Sequence, residues 1–501
     1  MIVSGLAAGL MATPALAHEQ APPAYRASIA DQLFARAGRE AAALAAAAHV
    51  PPADDLPAAF RNLDYDGYRK LRPRPDRMVW GKAGNPFAVL PLPRGGLYAT
   101  RVALHFVDPE GVERDMAPAS VDFVDYPWAS DRDRHDLGAS GWRAISRPGQ
   151  AGIGYEFAVF QGGTYFRLVG EGQVYGASAR ALAINTGSAA GEEFPRFTDF
   201  WIIEPGSGDE GLTFIALADS PSAAAAYRFA LRPGSDATID VAAEIHPRVD
   251  ISEAGVAPLS SMYLHGHVAP RRGGDPRPEV HDSDGLSILT TAGERIWRPL
   301  ANPRTVQVSA FAGSPAAFGL EQRQRVPGAF ADAEARYERR PSVRIEPVGE
   351  WGAGEIRLLE IPTGNEYADN IAVFWRPASA WLAGSVQRLA YRLHWSAFPA
   401  DAPVAQVVAS AVARAPESRS LQRIAIDFSG APGFDAATLR PDVWSTSGVI
   451  SNINVTPLAN DRVRLSFDLD PGTSAVIELH AALADPRSQQ TETWLFRWTP
   501  E

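Results

Sequence analysis

The stretch of this chain richest in chemistry is Arg277-Pro278-Glu279-Val280-His281-Asp282-Ser283-Asp284-Gly285-Leu286, with five ionisable residues in eight positions and apolar strand material on either side. A solvated acidic loop seldom has that context. A second acidic group, Glu360-Ile361-Pro362-Thr363-Gly364-Asn365-Glu366-Tyr367-Ala368-Asp369-Asn370, runs directly into the apolar Ile371–Trp375. Trp297, Tyr337, Trp351 and Trp375 lie close to these groups in sequence. Carboxylates at strand ends beside aromatic rings suit a sugar site. One carboxylic acid protonates the leaving oxygen, another carboxylate activates water, and ring faces stack on pyranose CH faces. On this reading Trp297, Glu279 and His281 line the sugar. The competing reading for each Asp is a turn or an ion pair with one of the many arginines.

Other motifs carry less. His265-Gly266-His267, with His281, Glu279 and Asp282 downstream, has the residue types of a metal site, but an i, i+2 histidine pair is weak support. Hydrogen-bonded or surface histidines are expected instead, with no metal and no cofactor. Gly206-Ser207-Gly208-Asp209-Glu210-Gly211 satisfies G-x-G-x-x-G, yet a strand-like Leu212–Leu217 follows it and two carboxylates inside it would repel a pyrophosphate. It is read as a turn. No P-loop, H-E-x-x-H or G-x-S-x-G occurs.

Composition narrows the field further. The 501 residues contain no cysteine, which removes thiol nucleophiles, disulfides and Cys-bound metals. Only Lys70 and Lys82 are lysines, so Schiff-base chemistry has little scope. A net charge of −11 without a basic run argues against nucleic acid. Residues 1–17, with the apolar run Val3–Met11 and the small-x-small Ala15-Leu16-Ala17, read as a signal peptide, although the basic start of such peptides is missing. No later stretch has the ~20 apolar residues of a spanning helix, so the mature chain is not expected to be membrane-embedded.

The elements that must position these residues are mainly strands. Ser28–His49 is the one long helical pattern, with Ser28 as expected N-cap and Pro51-Pro52 beyond its end. Period-two runs then recur at 101–108, 155–160, 213–217, 225–231, 255–265, 355–361 and 389–395, punctuated by 43 Gly and 41 Pro. Short strands without crossover helices predict a large antiparallel β-sandwich. A boundary is expected at Phe398–Pro403, leaving 18–398 as the large β-sandwich and 403–501, with strands at 423–428, 462–469, 475–480 and 493–498, as a smaller immunoglobulin-like sandwich.

Several ordered segments resemble the periplasmic glucans biosynthesis family, the G and D proteins of osmoregulated periplasmic glucan synthesis. They include Leu63–Arg69, Val159–Arg167, Tyr175–Arg180, Gly191–Phe197, the Arg277–Leu286 block, Ile296–Leu300, Phe318–Leu320, Arg340–Ser342 and Asp369–Ile371. The resemblance implies a mutarotase-like β-sandwich followed by an immunoglobulin-like domain, a periplasmic location, and β-1,2-glucan as ligand. It also implies kinship with inverting glycoside hydrolases and glucan transglycosylases. By position the family's general acid falls on Asp369 and its base on Asp282, with Tyr337, Arg340 and Glu366 around the cleaved bond. Asp369 should then be the carboxyl with a raised pKa, through burial or Glu366, while Arg277 or His281 keeps Asp282 ionised. Asn185, Arg295 and Arg344 depart from the family pattern. An endo-β-1,2-glucanase or transglycosylase is the first reading. A non-catalytic glucan-binding factor serving a membrane-bound glucan synthase is the second, and a metal-dependent lyase using His265, His267 and His281 a third.

Overall fold

The computed structural model describes residues 24–500 apart from 82–84, 119–120, 122, 125–132, 134–136, 147–153, 190, 269–273, 398–403, 417, 419, 430–437 and 485–490. The expected signal peptide and the expected boundary at 398–403 lie outside the described residues. Among the described residues no helix is long and apolar enough to cross a membrane.

The period-two runs become strands, and the protein is all-β, built from two large sheets facing each other. The first has 14 strands and includes Gly285–Thr290, Pro315–Glu321, Ser342–Val348, Gln387–Ser396, Asp236–Pro247, Ala223–Arg232, Leu212–Asp219 and Arg196–Ile203. The second has 10, with Ala254–Ser261, Ile371–Pro377 and Gly354–Glu360 among them. Alternation drives their inner faces together over one continuous core. Phe214 stacks on Phe229 at 4.9 Å, and Phe160 meets Phe214 edge-on at the same distance. Pairing is not wholly antiparallel. Ala103–Val107 runs parallel to Arg196–Ile203, and Arg295–Pro299 parallel to Thr493–Trp498. The intervening segments are long enough to bring each later strand back in the same direction.

That second parallel pair joins the C-terminal strands to the large sheet, with Trp297 opposite Trp494. Strands Arg440–Ser445, Ile477–Ala484 and Thr493–Trp498 thereby extend the 14-stranded sheet. They face a four-stranded sheet of Val407–Arg414, Gln422–Ser429, Arg462–Asp470 and Val449–Leu458 across a separate core. Trp297 is buried in that core.

The N-terminal helix spans Ala24–Ala46, so it starts before Ser28, whose hydroxyl accepts from Gln32 inside the helix and is not the N-cap. Ala24–Ala27 continues a good helix-forming sequence directly after Pro22-Pro23, and nothing there favours a break. At its other end Arg248 donates to the terminal carbonyls of Leu44 (2.8 Å) and Ala47 (2.9 Å). The helix covers the outer face of the large sheet through Ala30, Leu33, Ala37 and Ala41. The glycine-rich 206–211 segment is a turn leading into Leu212–Asp219, as its carboxylates foretold.

Candidate active site

The two acidic stretches converge because both hang from the end of one strand, Ala254–Ser261. Strand Ile371–Pro377 pairs with it, Ser261 opposite Ile371. Just before Ile371 the buried Asn370 side chain continues the ladder in place of backbone. Its Oδ1 accepts from the N–H of Tyr263 at 2.8 Å, and its Nδ2 donates to the carbonyls of Tyr263 and Ile361, each at 3.0 Å. Asp369 is thus fixed at the strand's mouth. On the other side, Tyr263–His265 pairs with Val280–His281, and the N–H of Asp282 donates to the carbonyl of Met262 at 2.8 Å. That backbone bond continues the pairing and holds Asp282 one residue beyond the short strand.

Period two then sorts the first acidic stretch onto opposite faces. Val280 and Asp282 point one way. Val280 packs with Met262, Phe330 and Tyr337 in a small core beneath the cleft. Glu279 and His281 point the other way, toward the seam with the C-terminal strands, where they line a small cavity with Trp297 and Asp284. His281 is fully enclosed, stacked on Tyr263 at 5.2 Å. Both imidazoles reach the buried Glu279 carboxyl, His267 Nε2 and His281 Nε2 each at 3.0 Å from one of its oxygens. His265 bonds the carbonyl of Arg277. Glu279, His281 and Trp297, expected beside the sugar, are thus placed along the small cavity at the seam with the C-terminal strands. Trp351 and Trp375 are likewise core residues, packed on each other at 5.3 Å, and offer no stacking face.

Gathered on the other side are Asp282, Asp369, Arg340, Glu366 and Arg167, with the buried Tyr337 beneath Arg340. Asp282 is buried and in contact with the Arg340 guanidinium, which also lies over the Tyr337 ring at 4.4 Å. Burial pushes the Asp282 carboxyl above the ordinary Asp value; Arg340 pulls it down, Asp369 pushes it up, and Arg167 pulls it down. Asp369 is far more open, with 36% of its side chain exposed, and it pairs with Arg167 at 3.7 Å. The expected burial of the two carboxyls is therefore exchanged. Asp282 is the enclosed carboxyl with the raised pKa, and its cation is Arg340, not Arg277 or His281. Arg277 is occupied elsewhere, by Asp275 (2.7 Å), Asp332 (2.8 Å) and Glu366 (2.6 Å).

The loop that delivers Tyr337 and Arg340 is held under constraint. Ala331 and Arg336 both adopt left-handed backbone, with φ of 52° and 46°. Asp332 caps the N–H groups of Glu334 and Ala335. Gln322 Nε2 donates to the carbonyl of Tyr337 at 3.1 Å, and Arg325 to those of Glu338 and Arg340. Gly176 lets Arg340 pass, because a Cβ there would lie 2.9 Å from the Arg340 Cβ. The buried Tyr337 hydroxyl donates to Glu366 at 3.0 Å, tying this loop to the one that carries Asp369. Burial raises the Tyr337 pKa, so the phenol remains a donor. Tyr367, two residues before Asp369, is 90% exposed, and the Tyr165 ring lies under Arg180 at 5.2 Å.

Arg167 and Tyr165 are functional candidates that charge clustering in the sequence does not reveal. Both lie in Val159–Arg167, where the only signal is the segment's resemblance to the glucan family. Of the departures from the family pattern, Asn185 adopts a left-handed φ of 58°, and Arg344 is paired with Glu346 at 2.7 Å on the large sheet.

Residues 33–498 match the family described as periplasmic glucan biosynthesis protein, MdoG. The chain is 41% identical over 466 residues to glucans biosynthesis protein G of Vibrio cholerae serotype O1 strain O395, covering 92% of this chain and 86% of that one. It is 42% identical over 453 residues to the protein of the same name from Shewanella sp. strain W3-18-1, covering 89% and 83%. The match takes in both sandwich cores and every cleft residue described above, and the chain belongs to the periplasmic glucan biosynthesis protein MdoG family.

Proposed function

We propose that this protein acts in the periplasm on β-1,2-linked glucan, cleaving or transferring within the chain with inversion, Asp369 serving as general acid and Asp282 as general base. The observation that carries this reading is the pairing of two carboxylates in contrasting settings, one enclosed against Arg340 and one open beside Arg167. A base works best when its pKa approaches the operating pH, and burial moves Asp282 in that direction while Arg340 keeps the anion accessible. Asp369, open to solvent, is the carboxyl a sugar can reach directly. Tyr337 and Arg277 hold Glu366 between them, so Glu366 is fixed in place to receive a sugar hydroxyl. Arg340 Nε, buried and without a partner among the described residues, leaves a further N–H available.

The test is incubation of the protein with linear β-1,2-glucan, following chain length by mass spectrometry and anomeric form by NMR. Hydrolysis adds one water to the products, while intramolecular transfer adds none. Turnover that is absent in the wild type, or equal in Asp369→Asn, overturns the reading. A second reading, a carrier that hands nascent glucan to a membrane-bound synthase, draws support from the Asp282–Arg340 ion pair, which a purely structural carboxylate would also make. Full complementation of a glucan-deficient strain by the Asp369→Asn, Asp282→Asn double variant would favour it.

A further inference from the structure

The face of the Glu279–Asp284 segment turned away from the cleft poses a charge problem. His281 Nε2 lies 3.0 Å from Glu279 Oε2 and 3.4 Å from Asp284 Oδ1, and the ligand atoms of all three residues fall within 4.8 Å of one another. Gln322 settles which imidazole nitrogen carries hydrogen. Its Nε2 spends both hydrogens on the carbonyls of His281 (3.0 Å) and Tyr337 (3.1 Å), so its Oε1 must accept from His281 Nδ1, 3.0 Å away. A neutral His281 would then aim the Nε2 lone pair at two carboxylate oxygens. Three acceptors cannot share that space without a cation among them.

We propose that this is a divalent metal site of the zinc class, formed by Glu279, His281 and Asp284 with His267 as fourth ligand. Tetrahedral coordination at the usual Zn–N and Zn–O distances separates neighbouring ligand atoms by about 3.3 Å. The 3.0 and 3.4 Å spacings bracket that edge. His267 Nε2 stands 3.0 Å from the other Glu279 oxygen, and its side chain is exposed enough to swing onto the metal. The outer partners have the form that metal ligands need. Gln322 orients His281, and Asp284 Oδ2 accepts the N–H groups of Arg323 and Gln324, leaving Oδ1 to ligate. A cavity of about 100 Å³ beside these residues, walled on its far side by Val407–Ser410 of the C-terminal sheet, admits an ion. Two carboxylates and two neutral imidazoles balance a dication. Asp282 lies between two of the ligands in sequence, so the metal would pin the turn that presents it to the cleft.

The alternative cation is a proton on His281, and the experiment separates the two. Full-length protein is stripped with EDTA, desalted, and titrated with Zn²⁺ against a chelating dye, with bound metal counted by elemental analysis. About one Zn²⁺ per chain is expected, together with a higher thermal midpoint. Co²⁺ in its place should give the intense visible bands of four-coordinate nitrogen and oxygen ligation. His267→Ala removes an exposed ligand without disturbing the core and should weaken binding about 10-fold. Glu279→Gln should abolish it, with folding checked by circular dichroism. Negligible Zn²⁺ uptake by the wild type, or no four-coordinate Co²⁺ bands, overturns the proposal and leaves His281 as a buried imidazolium. Wild-type affinity in both variants overturns it as well, since the ion then binds elsewhere.

Discussion

Carboxylates in the C-terminal four-stranded sheet and those in the cleft meet arginine in different ways. Asp427 stands directly across the ladder from Arg464, and Asp468 from Arg423. Each pair makes two contacts, at 2.6 and 2.8 Å for the first and 3.0 and 3.3 Å for the second. Strand register supplies one guanidinium per carboxylate, and the Asp468 pKa is held below its ordinary value by its Arg423 and Asn452 hydrogen bonds. In the cleft no register does this. Asp282 and Asp369 arrive from separate loops and meet Arg340 and Arg167 there, and the Asp282 pKa is raised on balance. A charge matched by register is spent on structure, whereas one left over at a strand end remains available for chemistry.

The largest effect that would break this contrast is kinetic. Asp369→Asn and Asp282→Asn should each lower glucan turnover by about 10²–10⁴-fold, the usual worth of a general acid or base, with the thermal midpoint near wild type for the exposed Asp369 and lowered for Asp282, whose loss leaves Arg340 unpaired. Asp427→Asn should leave turnover unchanged. Equal losses from cleft and sheet variants would show the distinction to be false.

Next in size is Asn370→Ala. It removes three buried hydrogen bonds that substitute for a strand and should cost about 1–3 kcal/mol, read as a lower unfolding midpoint. Turnover should fall with it, because Asp369 is the adjacent residue. A stability loss without any kinetic loss would show that Asp369 is positioned by something else.

Arg340→Met sharpens the comparison by making the imbalance worse. Arg340 lowers the Asp282 pKa, so removing it raises that pKa further. If Asp282 must be ionised to act, the acidic limb of the kcat/KM profile moves to higher pH, costing about tenfold for each unit of displacement at acidic pH. A limb that stays in place would mean that Asp282 is not the titrating base.

How much of this is legible in the sequence depends on the range of the interaction. The alternating runs foretell the strands, because side chains one residue apart must choose opposite faces. The same rule separates His281 from Asp282, but it applies only once 279–282 is known to be extended. The place of Trp297 is not legible because closeness in sequence is not closeness in space: a parallel pairing with Thr493–Trp498 draws it into the seam. Arg277 is a near cation along the chain, yet Asp275, Asp332 and Glu366 claim it, and Arg340 arrives from a loop 58 residues away. Ser28 is not an N-cap because the residues before it are helix formers too. Partners chosen by tertiary folding leave no local pattern.

The smallest effect expected is that of Asp468→Asn. Its partner Arg423 is partly solvent-exposed, so the pair should contribute only about 0.2–1 kcal/mol at neutral pH, with no consequence for turnover. The sign of its pH dependence is fixed by the depressed pKa in the folded state. That stabilisation is fully present above the unfolded Asp value and disappears as pH falls through the folded one. Wild type and variant should therefore differ in unfolding midpoint at pH 7 and converge under acid. A gap that widened on acidification would mean that the ladder does not favour the Asp468 anion, and the contrast with the cleft would lose its structural half.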